Sequence, residues 1–129
     1  MKQLLIFLLC ITVTALAGAI QEGTLKASSD GNNVTVEWMS ADESSVIRYE
    51  VERRSEGAGF GYIYTIQKKG SNQRYKYTDE SAFKTTGTVY YYRIKIVSTN
   101  GVEYSSEVNV PHNVNSVKRT WGSLKAMFR

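Results

Sequence analysis

The chain has 129 residues, enough for one domain, and 16 Lys and Arg against 12 Asp and Glu give a formal net charge of +4. Because both signs are interspersed through the middle of the chain, the charge indicates a solubilising surface and argues against a nucleic-acid partner. With one Cys and one His, the chain offers no Cys/His metal cluster and no credible Ser/His/Asp set. We therefore expect neither an enzyme nor a protein that holds a cofactor.

The first nineteen residues have the pattern of a signal peptide. Lys2 precedes an almost wholly apolar run over residues 4–16, and Ala17-Gly18-Ala19 supplies the small residues that a signal peptidase accepts. The run is shorter than the roughly 20 residues that a membrane span needs. We expect cleavage after Ala19 or after Ala17 and an exported product, with an uncleaved anchor as the alternative. Cys10 lies in this segment, so the exported chain would have no disulfide and would depend on its core for stability.

Residues 20–111 alternate apolar and polar side chains with the period of half-buried strands. Turn-forming residues separate the runs, and Asn100-Gly101 is a strong hairpin signal because both residues tolerate positive φ. The predicted strands lie near residues 24–29, 33–39, 46–54, 60–68, 74–78, 88–98 and 102–110. Seven short strands without a helical period among them predict an all-β antiparallel sandwich.

Several runs resemble the strands of a fibronectin type III domain, of the kind found in exported bacterial proteins. Residues 34–38 are similar to the second strand of that family, in which a Trp fills the core, and residues 88–96 are similar to its sixth strand. Residues 49–53, with Phe60 and Ile66, are similar to its third and fourth strands, and residues 77–79 to its fifth. The resemblance covers residues 24–110 and implies a seven-stranded immunoglobulin-like sandwich.

We expect one face of the sixth strand to form the core together with Trp38, because aromatic side chains bury large areas. That face carries Tyr90, Tyr92, Ile94 and Ile96. The resemblance implies that Tyr90 is a corner tyrosine whose hydroxyl bonds to the backbone near residues 83–86. It also implies that the third strand lies beside the sixth.

Charged residues on the other face of these two strands are interpreted as structural. With the third strand beside the sixth, Glu50 and Glu52 would face Arg93 and Lys95 in cross-strand pairs.

Surface tyrosines give the best indication of binding. Tyr62 and Tyr64 are expected on one face of the fourth strand, and Tyr91 and Tyr104 are expected to point outward. Tyrosines on a flat sheet can stack on sugar rings or anchor a protein partner. Cross-strand packing that only stabilises the sheet is the alternative.

The other polar candidates are interpreted without a chemical role. His112 and the pair Asp42-Glu43 are expected to be exposed, and Asp79 is expected to cap a turn.

Residues 112–129 are predicted to be a linker followed by a short basic amphipathic helix. Val117, Trp121, Leu124 and Phe128 follow helical spacing, and most of the nearby Lys and Arg residues fall off that stripe. Trp121, Leu124 and Phe128 are therefore candidate partner-binding residues. Three interpretations stay open: the tail docks on its own domain, contacts a membrane or envelope surface peripherally, or is a tag for sorting, anchoring or docking.

Together these features predict a non-enzymatic exported module for binding, adhesion or spacing. Its partner is an unidentified protein or glycan. A carbohydrate-binding accessory module that uses the surface tyrosines is the alternative. The fold itself does not choose between them, because sandwiches of this kind host many functions.

Overall fold

The computed structural model describes residues 18–82 and 89–112, which form eight strands in two antiparallel sheets. The strands are β1 (Lys26–Ser29), β2 (Val34–Met39), β3 (Val46–Ser55), β4 (Gly61–Gln67), β5 (Arg74–Asp79), β6 (Val89–Ser98), β7 (Gly101–Tyr104) and β8 (Val108–Pro111). The three-stranded sheet has the order β1-β2-β5, and the five-stranded sheet has the order β4-β3-β6-β7 with β8 also paired to β6. The predicted sandwich is confirmed, and β3 lies beside β6 as the resemblance implies. The predicted signal segment up to residue 17 and the predicted tail helix lie outside the described residues.

The last predicted strand, 102–110, is divided in two. The Ser105 N–H donates to the Ile94 carbonyl at 2.9 Å, while the Ser105 hydroxyl accepts the Ile94 N–H at 2.8 Å. A side-chain oxygen thus takes the N–H that a continuous ladder would direct to a backbone carbonyl. The ladder is therefore interrupted between β7 and β8, and the described residues form eight strands where seven were predicted.

The core forms around Trp38, which is 1% exposed. Its indole stacks on Tyr75 of β5, with ring centroids 5.1 Å apart, and meets Tyr49 of β3 edge-on at 5.7 Å. The inward face of β6 completes the core with Tyr90, Tyr92, Ile94 and Ile96, as predicted, and all four are buried. The Tyr90 hydroxyl donates to the carbonyl of Ala82; the predicted acceptor stretch, 83–86, lies outside the described residues.

The folded unit extends beyond the predicted domain boundaries at both ends. Ala19, the last residue of the predicted signal segment, packs in the core, and its carbonyl accepts the Ala41 N–H at 2.7 Å. His112, predicted to be a solvated linker residue, is fully buried, with its Nδ1 2.5 Å from the Ser29 hydroxyl. The expectation of an exposed histidine is wrong because β8 ends against β1, and this contact covers the ring.

The expectation that Glu43 is exposed is also wrong. Glu43 is 3% exposed, and both carboxylate oxygens accept from the Tyr75 hydroxyl, at 2.6 and 2.9 Å. Burial and this hydrogen bond raise the pKa of Tyr75 to about 12, so the phenol stays protonated and keeps donating. Asp42 stays exposed, as expected.

Asp79, at the end of β5, links the two sheets. Its Oδ2 accepts from Arg53 Nη1 of β3 at 2.6 Å and from the Tyr92 hydroxyl of β6 at 2.7 Å. Its Oδ1 accepts from the N–H and the hydroxyl of Ser81, so the predicted turn cap is present as part of a larger network. Because β5 belongs to one sheet and β3 and β6 to the other, this carboxylate fixes the distance between the sheets at one end of the sandwich.

The network keeps Asp79 charged. Burial alone would raise the pKa of Asp79, but hydrogen bonds from Ser81 and Tyr92 and the adjacent Arg53 guanidinium outweigh burial and hold the pKa below its ordinary value of 3.8. A carboxyl group whose pKa is lower in the folded than in the unfolded chain stabilises the fold above the unfolded value. That contribution is lost as pH falls through the folded pKa.

We expect Trp38→Ala to lower the free energy of unfolding by about 3–5 kcal/mol, because it leaves a cavity between Tyr49 and Tyr75. Urea unfolding followed by circular dichroism measures the loss. Ile47→Ala is the control, since Ile47 is 45% exposed and its truncation should cost less than about 1 kcal/mol. A loss for Trp38→Ala as small as that of the control would contradict the assignment of Trp38 to the centre of the core.

We expect Asp79→Asn to cost about 3 kcal/mol at neutral pH, because Arg53 and Tyr92 lose an anionic acceptor in a buried position. Below the ordinary pKa of 3.8, the difference between wild type and variant should shrink, since the Asp79 carboxyl of the unfolded wild type takes up a proton before that of the folded chain does. Urea unfolding between about pH 3 and about pH 7 tests this. Glu103→Gln, at an exposed carboxylate on β7, is the control. Parallel curves for wild type and Asp79→Asn over this range would refute the linkage.

Candidate functional site

The outer face of the five-stranded sheet carries most of the surface aromatic residues predicted as binding candidates. The alternation of β6 that buries Tyr90 and Tyr92 directs Tyr91 and Arg93 to this outer face. The pairing of β7 with β6 places Tyr104 opposite Lys95, on the same face. Tyr91 and Tyr104 therefore both point outward, as expected.

Arginine and aromatic side chains alternate across this face. The Arg54 guanidinium lies 3.8 Å from the Tyr91 ring centroid and 5.4 Å from that of Phe60. The Arg93 guanidinium lies 4.1 Å from the Phe60 centroid and 4.0 Å from that of Tyr104. We call the row Tyr91, Arg54, Phe60, Arg93 and Tyr104 the aromatic–arginine strip. Each contact of this kind contributes on the order of 0.5–1 kcal/mol at an exposed site.

Carboxylates hold both arginines of the strip in place. Arg93 Nε lies 2.7 Å from Glu52 Oε1, which confirms one of the predicted cross-strand pairs. Arg54 Nη2 lies 3.2 Å from Glu107 Oε2. Glu50 is opposite Lys95 in register, as predicted, but its carboxylate bonds to Arg48 at 3.1 Å.

Tyr91 and Tyr104 are packed within the strip. An arginine that is itself paired with a carboxylate covers one face of each ring. For these two tyrosines, the structure fits the alternative interpretation, in which cross-strand packing stabilises the sheet.

Tyr62 and Tyr64 do not share a face of β4, so that expectation is wrong. Tyr64 is opposite Val51 and Tyr62 is opposite Glu52, with a register shift between these two residues of β3. Val51 and Glu52 are consecutive residues of β3 and therefore point to opposite faces of the sheet. The tyrosines opposite them point to opposite faces as well. Ile63 is the extra residue of this bulge, which strict alternation in the sequence could not reveal.

The bulge gives the two tyrosines different surroundings. Tyr62 is 61% exposed, and its hydroxyl is hydrogen-bonded to the Thr65 hydroxyl on the outer face. Tyr64 is 51% exposed and stacks on Tyr77 of β5, with centroids 4.8 Å apart and an interplanar angle of 16°. The Tyr64–Tyr77 pair therefore spans the gap between the sheets at the open side of the sandwich.

The described residues hold no candidate metal cluster, and a groove on their surface carries charges of both signs. In the part of the chain that the structure describes, no group of three or more His, Cys, Asp or Glu residues could hold a metal ion. A shallow groove between β1 and β8 is lined by Lys26, Glu37, Tyr91, Glu107 and Asn109, a mixture of both charge signs.

Across residues 18–82 and 89–112, no helix has the length and apolar character to cross a membrane. The tail candidates Trp121, Leu124 and Phe128 lie outside the described residues and stay predictions.

Comparison with known proteins gives likeness in structure only. No protein-family model matches the sequence, and no curated protein matches it. An Fn3-like protein from Clostridium thermocellum is similar with a TM-score of 0.51 and 28% identity, over 70% of this chain and 90% of that one. A beta-1,2-glucanase from Parabacteroides distasonis is similar with a TM-score of 0.51 and 16% identity, over 77% of this chain and only 13% of the glucanase.

The two similar structures support different conclusions. The likeness to the glucanase concerns a small part of that enzyme and shows the fold alone. The likeness to the Fn3-like protein extends over 90% of that protein's own length and supports the fold of the described residues. The described part of this chain is a fibronectin type III-like β-sandwich.

Proposed function

We propose that this chain is an exported, non-enzymatic module for binding, adhesion or spacing, and that its C-terminal tail serves docking, sorting or envelope attachment. The observation that carries the proposal is the contrast between buried carboxylates that are engaged inside the domain and an exposed aromatic margin at β4. The buried carboxylates Asp79 and Glu43 are both engaged by internal donors. The large, accessible side chains at β4 are Tyr62 and Tyr64, a residue type enriched where proteins bind one another.

The N-terminal sequence supports export. The apolar run over residues 4–16, followed by small residues, is typical of a cleaved leader. Of the two candidate cleavage positions, the one after Ala17 retains Ala19, whose carbonyl is bonded to Ala41 in the folded unit.

The position of His112 supports a tail that is separate from the sandwich. β8 ends at Pro111, and the buried His112 ring against Ser29 completes the packing there. Residues after this point are not needed to cover that end of β1. The helical stripe of Trp121, Leu124 and Phe128 would then be available to another surface.

We expect Trp121→Ala to reduce capture of partners from the native cell envelope, because it removes the largest side chain of the tail stripe. Affinity capture with the full chain, quantified by mass spectrometry, measures the loss. Ser123→Ala, at a nearby residue off the stripe, is the matched control. Deletion of residues 114–129, which keeps His112, should leave the unfolding free energy of the domain unchanged within about 0.5 kcal/mol. Unfolding of the domain by this deletion would rule out a separable tail.

A carbohydrate-binding role is the second candidate, and the Tyr64–Tyr77 stack favours it. A tyrosine held by a second ring is a rigid aromatic platform with one face still open. On this reading Tyr64→Ala should weaken retention on insoluble polysaccharide at least about tenfold. Tyr104→Ala is a closely matched control, since Tyr104 is also 51% exposed but belongs to the aromatic–arginine strip and not to the Tyr64–Tyr77 stack. Absence of wild-type binding across a glycan array would reject this role.

A further inference from the structure

β4 differs from the other edge strands that the structure describes. An edge strand presents unpaired N–H and C=O groups, and proteins commonly protect such edges with charges or proline. β1 carries Lys26, β5 carries Arg74 and Lys76, β7 carries Glu103, and β8 ends in Pro111. The seven residues of β4, Gly-Tyr-Ile-Tyr-Thr-Ile-Gln, include neither a charge nor a proline.

The C-terminal half of β4 is the part able to pair with another strand. Residues 64–67 follow a regular register with residues 48–51 of β3, whereas the bulge distorts the strand at Tyr62 and Ile63. A regular, extended edge offers evenly spaced donors and acceptors on its free side. Pairing is therefore expected to centre on residues 64–67.

The charges that flank β4 favour a second copy of this chain as the strand that pairs with it. Exposed Glu56 lies in the turn before the strand, and exposed Lys68 and Lys69 follow it. If two copies of β4 pair antiparallel about Thr65, Lys68 and Lys69 of each copy are opposite Tyr62 and Gly61 of the other, at the end of β4 that follows the turn with Glu56. A parallel arrangement would instead bring like charges together, which is unfavourable. The charge pattern is thus complementary to itself under a two-fold axis.

We propose that β4 is a self-association edge, at which a second copy of this chain pairs antiparallel and joins the two five-stranded sheets into one. A two-fold interface of this kind uses the same patch on both subunits. Because one strand pair and its neighbouring side chains bury less than the area of a standard interface, the dimer is weak, with a dissociation constant on the order of 10–500 µM. This inference goes beyond the proposed function and does not depend on the identity of any other partner.

Sedimentation velocity of the full chain from about 10 µM to about 1 mM tests the proposal, since this range spans the expected dissociation constant. The wild type should change from monomer to dimer with rising concentration. Thr65→Lys should raise the dissociation constant at least about tenfold, because the two introduced lysines meet near the two-fold axis. Within one copy the new lysine is opposite Glu50, so the variant should fold normally. Thr78→Lys on β5 is the matched control and should leave the dimer unchanged.

A charge-reversal series tests the antiparallel arrangement. The double substitution Lys68→Glu with Lys69→Glu should weaken the dimer, because it places acidic residues at both ends of the paired strands. Adding Glu56→Lys to that double variant should restore it. A wild type that stays monomeric over the whole range overturns the proposal. So does a dimer that survives Thr65→Lys, or one that disappears only when residues 114–129 are deleted.

Discussion

The geometry of the sandwich depends on a carboxylate that lies where no water reaches it. Asp79 is fully buried, and a charged carboxylate in that position is tolerated only when its oxygens accept hydrogen bonds. Arg53, Tyr92 and Ser81 fill them, and these residues come from three different parts of the chain. Apolar packing around Trp38 would allow the two sheets to pack in several relative positions. The donors Arg53, Tyr92 and Ser81 reach the Asp79 carboxylate in only one of these positions. The carboxylate therefore gives specificity to a core that aromatic burial makes stable.

The sequence predicted the features that depend on alternation. One face of β6 is buried and the other is exposed because the period of two places Tyr90 and Tyr92 inside and Tyr91 and Arg93 outside. Trp38 follows the same rule on β2. The turn at Asn100-Gly101 was also predictable, because Gly101 takes a positive φ of 133° that few other residues adopt.

The failures share a physical cause, which is that each depends on a partner distant in the sequence. The burial of Glu43 depends on the Tyr75 hydroxyl, and the burial of His112 depends on β1 lying beside β8. The bulge that separates Tyr62 from Tyr64 is defined only by the register with β3. The aromatic–arginine strip falls in the same group, because Phe60 and Arg54 meet only after β3 and β4 have paired. Of the surface candidates, pattern alone could identify exposed tyrosines but could not tell which had arginines against their rings.

The contact between His112 and Ser29 has a mechanical consequence. If the tail tethers the module, tension enters the domain at β8, which among the described strands pairs with β6 alone. A strand held by one ladder can be peeled from its end, with bonds breaking one after another. The imidazole bonded to β1 ties that end to the opposite sheet as well, so a pulling force is shared between both layers before the first ladder bond breaks. The buried histidine thus acts as a clamp at the point where the module would bear load.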